Sequence, residues 1–305
     1  MRSTSRLRGF DVVQLINPMF LELKARRILP IYNYLRKHNG KMFMGAFGMD
    51  YYWVETCRTK KPLRYSDFNI GAELRTNRDA IKEINDWIGT DKEHLNRYIA
   101  ADCDGIVSGL YEYDVCYKLY FPNKTTFIPF PIKPCDDNAT THRCVSDNGK
   151  VKIFIGINKT RSEYKGTDIM LAAAEEVAKR HADKVEIVKA ESVPFSKYEK
   201  MMDGADIVLD QLYSYTPAMN ALLAMSKGIV CVGGGEPESY DALGEKELRP
   251  VINVEPNFQS VERELEAIVT DPGRINELKK QSIEFIRKHH YYIKVAKEYE
   301  KMYMG

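Results

Sequence analysis

Strand-like and helix-like runs alternate twice along this chain, once on each side of a polar stretch at residues 133–150 (KPCDDNATTHRCVSDNGK) that is nearly free of large apolar side chains. Before it, residues 10–16 (FDVVQLI) form a short apolar run stopped by Asn17-Pro18, the pattern of a buried parallel strand. A helical stretch follows, with Pro30 placed in the first turn of a second helix that runs to about Lys37. Residues 42–47 read as the next strand, closed by Gly48, and residues 76–102 as helical, with Ile81, Ile84, Trp87, Leu95, Tyr98 and Ile99 as core contacts. A strand at 104–110, a helix at 111–120 and a short proline-ended strand at 125–132 complete the first half. The second half restarts with a strand at 151–157 and a polar loop. Helices at 167–181, 196–202 and 217–227 then alternate with strands at 185–188, 205–209 and 229–232, the last running into Gly233-Gly234-Gly235. Two helices finish the chain, at about 260–268 and from 273 through 303.

This order predicts an α/β chain of two doubly wound, Rossmann-like domains. The expected domains are 1–132 and 151–285, joined by a linker at 133–150, with a helix at 286–305 returning toward the first domain. Parallel sheets bind ligands at the carboxyl ends of their strands, so the domains are expected to face each other across a cleft. The first domain shows only about four strands and begins mid-sheet, so it is expected to be incomplete.

Composition narrows the function classes. A chain of 305 residues, 44% hydrophobic and 29% charged, buries cores without a disulfide or metal staple. A net charge of +2 is too mild to argue for nucleic acid. The cysteines at 57, 103, 116, 135, 144 and 231 form no CxxC pair and are expected to be reduced thiols. The sequons at Asn123, Asn138 and Asn158 are read as chance. No stretch approaches the ~20 apolar residues of a membrane span, and MRSTSRLRGF has no apolar region behind its basic start. The expected compartment is the cytoplasm, with peripheral contact at the inner face of a membrane as an extension. Lys288, Lys294, Lys297 and Lys301 give the last helix either a solvated face or a contact with anionic lipid. His289 and His290 are expected to face solvent, and no metal set or nucleophile elbow is present.

Four segments can carry chemistry. The loop at 156–167 sets Lys159, Arg161 and Lys165 beside Gly156, Asn158 and Gly166, directly before a helix. Such a loop suits a diphosphate, and its bland alternative is a solvated basic turn. In SYTPAMN, Thr216 as N-cap with Pro217 at N1 makes a helix start whose free N–H groups face an anion, or a plain capped core helix; Tyr215 and Asn220 flank it. Gly233, Gly234 and Gly235 with Glu236 and Glu238 form either a ligand-facing turn or a flexible one. In the first half, Gly48, Asp50, Tyr51, Tyr52 and Trp53 combine small, acidic and aromatic residues as a sugar-binding surface would, although aromatics more often fill a core; Asp67 lies in a similar segment.

The order of these features resembles the GT-B glycosyltransferases of family 4, closest to a bacterial surface-polysaccharide subgroup sharing the QLYSYTPAMNALLAM and GGGEPESY segments. The likeness runs over nearly the whole chain from Phe10, through Lys165-Gly166, the ADIVL strand, Ala224-Met225 to Gly228, and the Gly-x-Pro-Glu turn at 235–238. DGIVSGLYEY, with Glu112, and FIPFPI match the first domain. The resemblance implies an acceptor-binding first domain and a donor-binding second one, with a nucleotide-diphosphate sugar as donor and a glycan or lipid-linked acceptor. No cofactor, metal or nucleic acid is expected. Arg161 and Lys165 would meet the diphosphate and Glu238 the ribose or sugar, with retention at the anomeric carbon; Asp50 is the candidate acceptor base. One departure is plain: the family's two glutamates, eight apart, fall on Tyr215 and Leu223. The alternatives are a non-catalytic nucleotide-sugar-binding protein or complex subunit, and a two-lobed solute-binding protein.

Overall fold

The computed structural model describes residues 7–134, 149–158 and 161–305. The linker positions 135–148, with Cys135, Asn138 and Cys144, and the loop residues Lys159 and Thr160 lie outside them. Two compact units are present, one of Met1–Pro129 with Ala296–Gly305, the other Phe130–Val295.

The first unit runs β1 (Val12–Leu15), α1 (Ala25–His38), β2 (Lys41–Ala46), α2 (Tyr51–Thr59), a hairpin of β3 (Asn69–Ile70) and β4 (Glu73–Leu74), α3 (Arg78–Trp87), α4 (Asp91–Asp102), β5 (Gly105–Ser108), α5 (Tyr111–Lys118) and β6 (Thr125–Phe127). Its parallel sheet has the order β1-β2-β5-β6. The central strands β2 and β5 are almost wholly buried, as their unbroken apolar runs require. β1 is an edge strand rather than a buried one: Phe10 and Ile16, expected in the strand, lie outside it and are exposed.

Three helix expectations change. α1 is one helix containing Pro30; the missing N–H and the ring face the solvent side, while Ala25, Ile28, Tyr32 and Leu35 hold the inner face. Residues 76–102 split into α3 and α4 at Gly89, whose φ of 72° leaves the helical region, and Thr90 then caps α4 by accepting from the Lys92 N–H. Ile81 and Tyr98 consequently turn outward, while Trp87, Leu95 and Ile99 stay in the core. The strand expected at 125–132 stops at Phe127, since Pro129 and Pro131 have no N–H to give a ladder.

The second unit runs β7 (Val151–Ile157), α6 (Ser162–Lys165), α7 (Thr167–Arg180), β8 (Val185–Glu191), α8 (Phe195–Met202), β9 (Ile207–Leu209), α9 (Met219–Ser226), β10 (Val230–Gly233), α10 (Pro237–Leu243), β11 (Ile252–Asn253), α11 (Phe258–Thr270), α12 (Gly273–Phe285), a π-helical turn (Ile286–His290) and α13 (Tyr292–Met304), whose last residues belong to the first unit. Its five strands are all parallel, in the order β11-β10-β9-β7-β8. Alternate residues feed two cores. Ile153, Ile155, Ile207 and Leu209 pack with Met170 and Ala174 of α7 and Leu265 of α11. Phe154, Val208 and Cys231 pack with α9 and with Phe285. Both faces of the sheet are therefore covered, the condition for a parallel sheet.

The helix expected over 273–303 is broken at the π-turn. Tyr291 is extended, and Ile132 takes up the freed backbone groups: its N–H donates to His290 O (2.7 Å) and its carbonyl accepts from Tyr292 N–H (3.1 Å). This insertion buries the two histidines that were expected at the surface. His289 Nε2 lies 2.5 Å from Glu245 Oε2, and His290 Nδ1 2.9 Å from Phe130 O. Burial alone would push the Glu245 carboxyl up, but bonds from His289, Lys288 and the N–H groups of Glu247 and Leu248 hold it well below the usual range. At the chain end, Tyr303 OH donates to Gln14 Oε1 (3.2 Å) and its carbonyl accepts from Lys41 Nζ (3.0 Å).

Candidate functional site

The chain passes from β7 to β8 on one side and returns to β9 on the other, so the winding reverses between β7 and β9. In open parallel sheets the crevice beyond such a switch point, at the carboxyl ends of the strands, is where ligands bind. Three loops meet there: Asn158 and residues 161–166 after β7, Asp210 to Ala218 after β9, and Gly234 to Glu236 after β10.

Arg161 N–H donates to Asn158 O (2.9 Å), and the short α6 ends where Gly166 adopts φ 71° before α7. A side chain at Gly166 would meet Leu212 and Tyr213, and Lys165 O accepts from Leu212 N–H (3.0 Å), so the first and second loops are tied through backbone. Gly156 has a different use from the one its position suggests: the ring of Tyr198 fills the space a side chain would take. Exposed Arg161 rests its guanidinium 5.3 Å over the Tyr164 ring, and Lys165 is half-buried. Neither cation has an acidic partner among the described residues.

The second loop corrects the expected helix start. Thr216 is not an N-cap: α9 begins at Met219 with Ala218 at the cap. Ser214 Oγ–H donates to Thr216 O (2.7 Å), which turns Thr216 and Pro217 into the interior; Tyr215 is buried with them and Asn220 is exposed. At the start of α9, Asp210 Oδ2 accepts instead from the N–H of the cap residue Ala218 (3.4 Å). Asp210 was missed in the sequence, where the signal was available: an acid directly following the ADIVL strand, at its carboxyl end. Tyr198 is raised to about 12, first by burial and then by the Asp210 charge.

The third loop packs on the second. Glu236 N–H donates to Tyr215 O (3.1 Å), and a side chain at Gly234 would lie 2.0 Å from Ser214 O. Gly235 N–H donates to Asn253 Oδ1 (2.9 Å). Glu236 is buried and Glu238, in the first turn of α10, is half-buried.

In the first unit, the acid at the end of β2 has a structural place. Asp50 is fully buried: Oδ1 accepts from Trp53 N–H (2.9 Å) as the cap of α2, and Oδ2 accepts from Tyr117 OH (2.7 Å). Burial pushes its carboxyl up to about 7 against these hydrogen bonds. An acceptor hydroxyl has no route to it in this conformation. Tyr52 and Trp53 are core residues, Tyr52 lying 5.0 Å from the rings of Tyr117 and Tyr120. Tyr51 is half-buried, with its N–H on Asn96 Oδ1 (3.0 Å). Asp67 accepts from Trp53 Nε1–H (3.3 Å), Glu112 is buried in the first turn of α5, and half-buried Gly48 has open space around it. An open depression of about 420 Å³ lined by Phe10, Asn39 and Tyr303 lies at the amino ends of β1 and β2, the edge of that sheet opposite to Gly48 and Asp50. No group of three potential metal ligands occurs among the described residues. No helix among them is long and apolar enough to cross a membrane.

No protein-family model matches the sequence, and no curated protein matches it. Solved structures do. A variant of S. aureus TarM, in complex with fondaparinux, α-GlcNAc-glycerol and UDP, is 11% identical at a TM-score of 0.59, over 92% of this chain and 54% of its own. Sucrose-phosphate synthase from Thermosynechococcus elongatus is 12% identical at 0.59, over 96% and 73%. Anabaena HepE in complex with UDP-glucose is 9% identical at 0.59, over 96% and 78%. This chain spans about half the length of TarM. At such identities the likeness is one of fold: an α/β chain with Rossmann-like parallel sheets, shared with GT-B glycosyltransferases.

Proposed function

We propose that this chain is a glycosyltransferase of the family-4 type, moving a sugar from a nucleotide-diphosphate donor to a glycan or lipid-linked acceptor in the cytoplasm. The observation that carries the reading is the switch point of the second unit, where Arg161 and Lys165 stand without acidic partners among the described residues at the mouth of a parallel sheet. A leaving diphosphate gains negative charge in the transition state. Fixed cations and the first N–H groups of α9 stabilise it there more than in the ground state, which is what accelerates the step. They would do so in the place of a metal ion, with retention of configuration. Asn158, Gly235 and Glu238 border the same crevice and are proposed to bound the nucleoside and sugar. The bound UDP and UDP-glucose of TarM and HepE make uridine donors the first to test.

One observation favours a second reading, a subunit that binds nucleotide sugar without turning it over. Tyr215 is buried and Leu223 packs against the core at the positions where the resemblance implies carboxylates. A thermal-shift and calorimetric screen of nucleoside diphosphates and their sugars, with and without magnesium, on wild type and Lys165→Ala tests both readings. Stabilisation by one nucleotide that is indifferent to magnesium, with affinity at least about tenfold weaker in Lys165→Ala, is expected. Wild-type affinity in the variant sinks the assignment of Lys165, and absence of any nucleotide binding overturns the whole reading. Binding without turnover of the bound donor selects the subunit.

A further inference from the structure

The connection from β1 to α1 presents apolar and cationic side chains together to solvent. Ile16 is 63% exposed, Leu21 37% and Leu23 40%. These side chains are held in place: Leu23 N–H donates to Leu21 O (2.8 Å), which closes a three-residue turn, and Arg27 N–H to Lys24 O (2.8 Å), which closes the first turn of α1. Because Ala25 and Ile28 point α1 into the core, Lys24, Arg26 and Arg27 lie outward on that first turn. None of the three has an acidic partner among the described residues. Over residues 16–27 there are three cations and one carboxylate, Glu22. The first turn of α1 also contains no acidic residue, and Lys24 at its cap position makes no side-chain cap bond. Three cations thus sit at the positive end of a helix dipole, an arrangement that costs stability unless an external negative charge faces it.

We propose that residues 16–27 form a docking surface for an anionic lipid bilayer, with Ile16, Leu21 and Leu23 entering the headgroup region and Lys24, Arg26 and Arg27 meeting lipid phosphates. Exposed apolar side chains interleaved with cations that have no acidic partner among the described residues fit that partner by charge complementarity, and neither part alone gives stable attachment. The lysines near the chain end are less suited to such contact, because Lys288 Nζ is paired with Glu245 Oε2 (2.9 Å) and Lys294 Nζ is bonded to Lys288 O (2.7 Å). The connection lies at the carboxyl edge of the first unit's sheet, the edge that also carries Gly48 and the start of α5. Docking there would bring a lipid-linked acceptor, rather than a free glycan, to that edge.

The test is vesicle co-sedimentation of the full chain without donor or acceptor, so that its outcome is independent of the transferase reading. Vesicles of phosphatidylglycerol with phosphatidylethanolamine are compared with phosphatidylcholine. Wild type is expected to bind the anionic vesicles at least about tenfold more strongly, with binding weakened by salt. At about fivefold per cation, Lys24→Gln/Arg26→Gln/Arg27→Gln weakens partitioning about a hundredfold. Ile16→Ser/Leu23→Ser removes the part of the binding that persists at high salt, and Lys294→Gln/Lys297→Gln/Lys301→Gln leaves partitioning within about twofold. All substituted residues are exposed, and unchanged melting temperatures verify the variants. Equal binding to both vesicle types, wild-type binding by the triple variant at 24, 26 and 27, or loss of binding only in the C-terminal triple variant overturns the proposal.

Discussion

Gly234→Ala tests the packing on which the donor-side site depends. The new methyl carbon would lie 2.0 Å from Ser214 O, 2.5 Å from the Ser214 carbonyl carbon and 3.0 Å from that of Tyr215. All three neighbours are backbone and cannot rotate away, so the loops after β9 and β10 must part by about 1 Å. The hydrogen bond from Glu236 N–H to Tyr215 O, now 3.1 Å and between buried residues, would then exceed hydrogen-bonding range. That loss costs about 1–3 kcal/mol, and overpacking adds a similar ~1–3 kcal/mol. Urea denaturation should show Gly234→Ala destabilised by roughly 2–6 kcal/mol with an unchanged m-value, and calorimetry a weaker nucleotide affinity. Gly48→Ala is the stability control: no atom lies within 4 Å of its added carbon, and a change below about 0.5 kcal/mol is expected. If Gly234→Ala unfolds within about 0.5 kcal/mol of wild type and binds nucleotide equally well, the close approach of these loops is wrong, and the site built on it falls.

Three further outcomes can be checked. Asp210→Asn keeps an acceptor for Ala218 N–H and removes the charge. If Asp210 orients a donor hydroxyl, kcat/KM falls at least about tenfold while the melting temperature holds, and a wild-type rate removes Asp210 from the site. Asp50, raised to about 7 in the folded chain from an ordinary 3.8, binds its proton more tightly folded than unfolded; stability from this group is greatest in acid and falls as pH rises from about 4 to 7. Asp50→Asn, with the cap retained, should remove that fall, which unfolding free energies at about pH 5 and pH 8 measure. His290 acts in the opposite sense. Burial lowers it to about 4 despite its bond to Phe130 O, so the unfolded chain holds more protons between about 4 and 6.5, and stability falls as pH drops through that window. His290→Gln should flatten the acid limb, and an unchanged slope would mean that the ring is solvated.

The layered α/β fold was legible because period and burial coincide. Residues 151–157 were read as a strand to the residue, and Ile153, Phe154 and Ile155 alternate between two covered faces as an unbroken apolar run implies. Errors fell where one backbone group decides the outcome. Gly89 at positive φ splits one helix pattern in two, and the Ser214 hydroxyl, by bonding to Thr216 O, moves the start of α9 two residues past the Thr-Pro signal. The break after Phe285 depends on Ile132, which is some 150 residues away in sequence, and no local pattern near His289 encodes it.

The same limit explains why the candidate site was read only in part. Asp50 follows β2 and Asp210 follows β9, and each accepts an N–H at the start of the next helix, from Trp53 and from the cap residue Ala218. Sequence favoured Asp50 because glycines and aromatic residues surround it. Those aromatic residues belong to its burial: Tyr52 packs against Tyr117, a distant residue that bonds to Asp50, and the carboxyl is driven toward its neutral form. Asp210 has only its place directly after a strand to mark it, yet it sits where the winding of the sheet reverses, beside the loop that carries Arg161 and Lys165. The partner that completes the burial of Asp50, Tyr117, is 67 residues away, and the order of strands in the sheet determines whether an acid at a strand end faces a ligand. That order comes from the pairing of β7 with both β8 and β9, a tertiary fact, so the position of Asp210 directly after its strand gains weight only once the strand order is known.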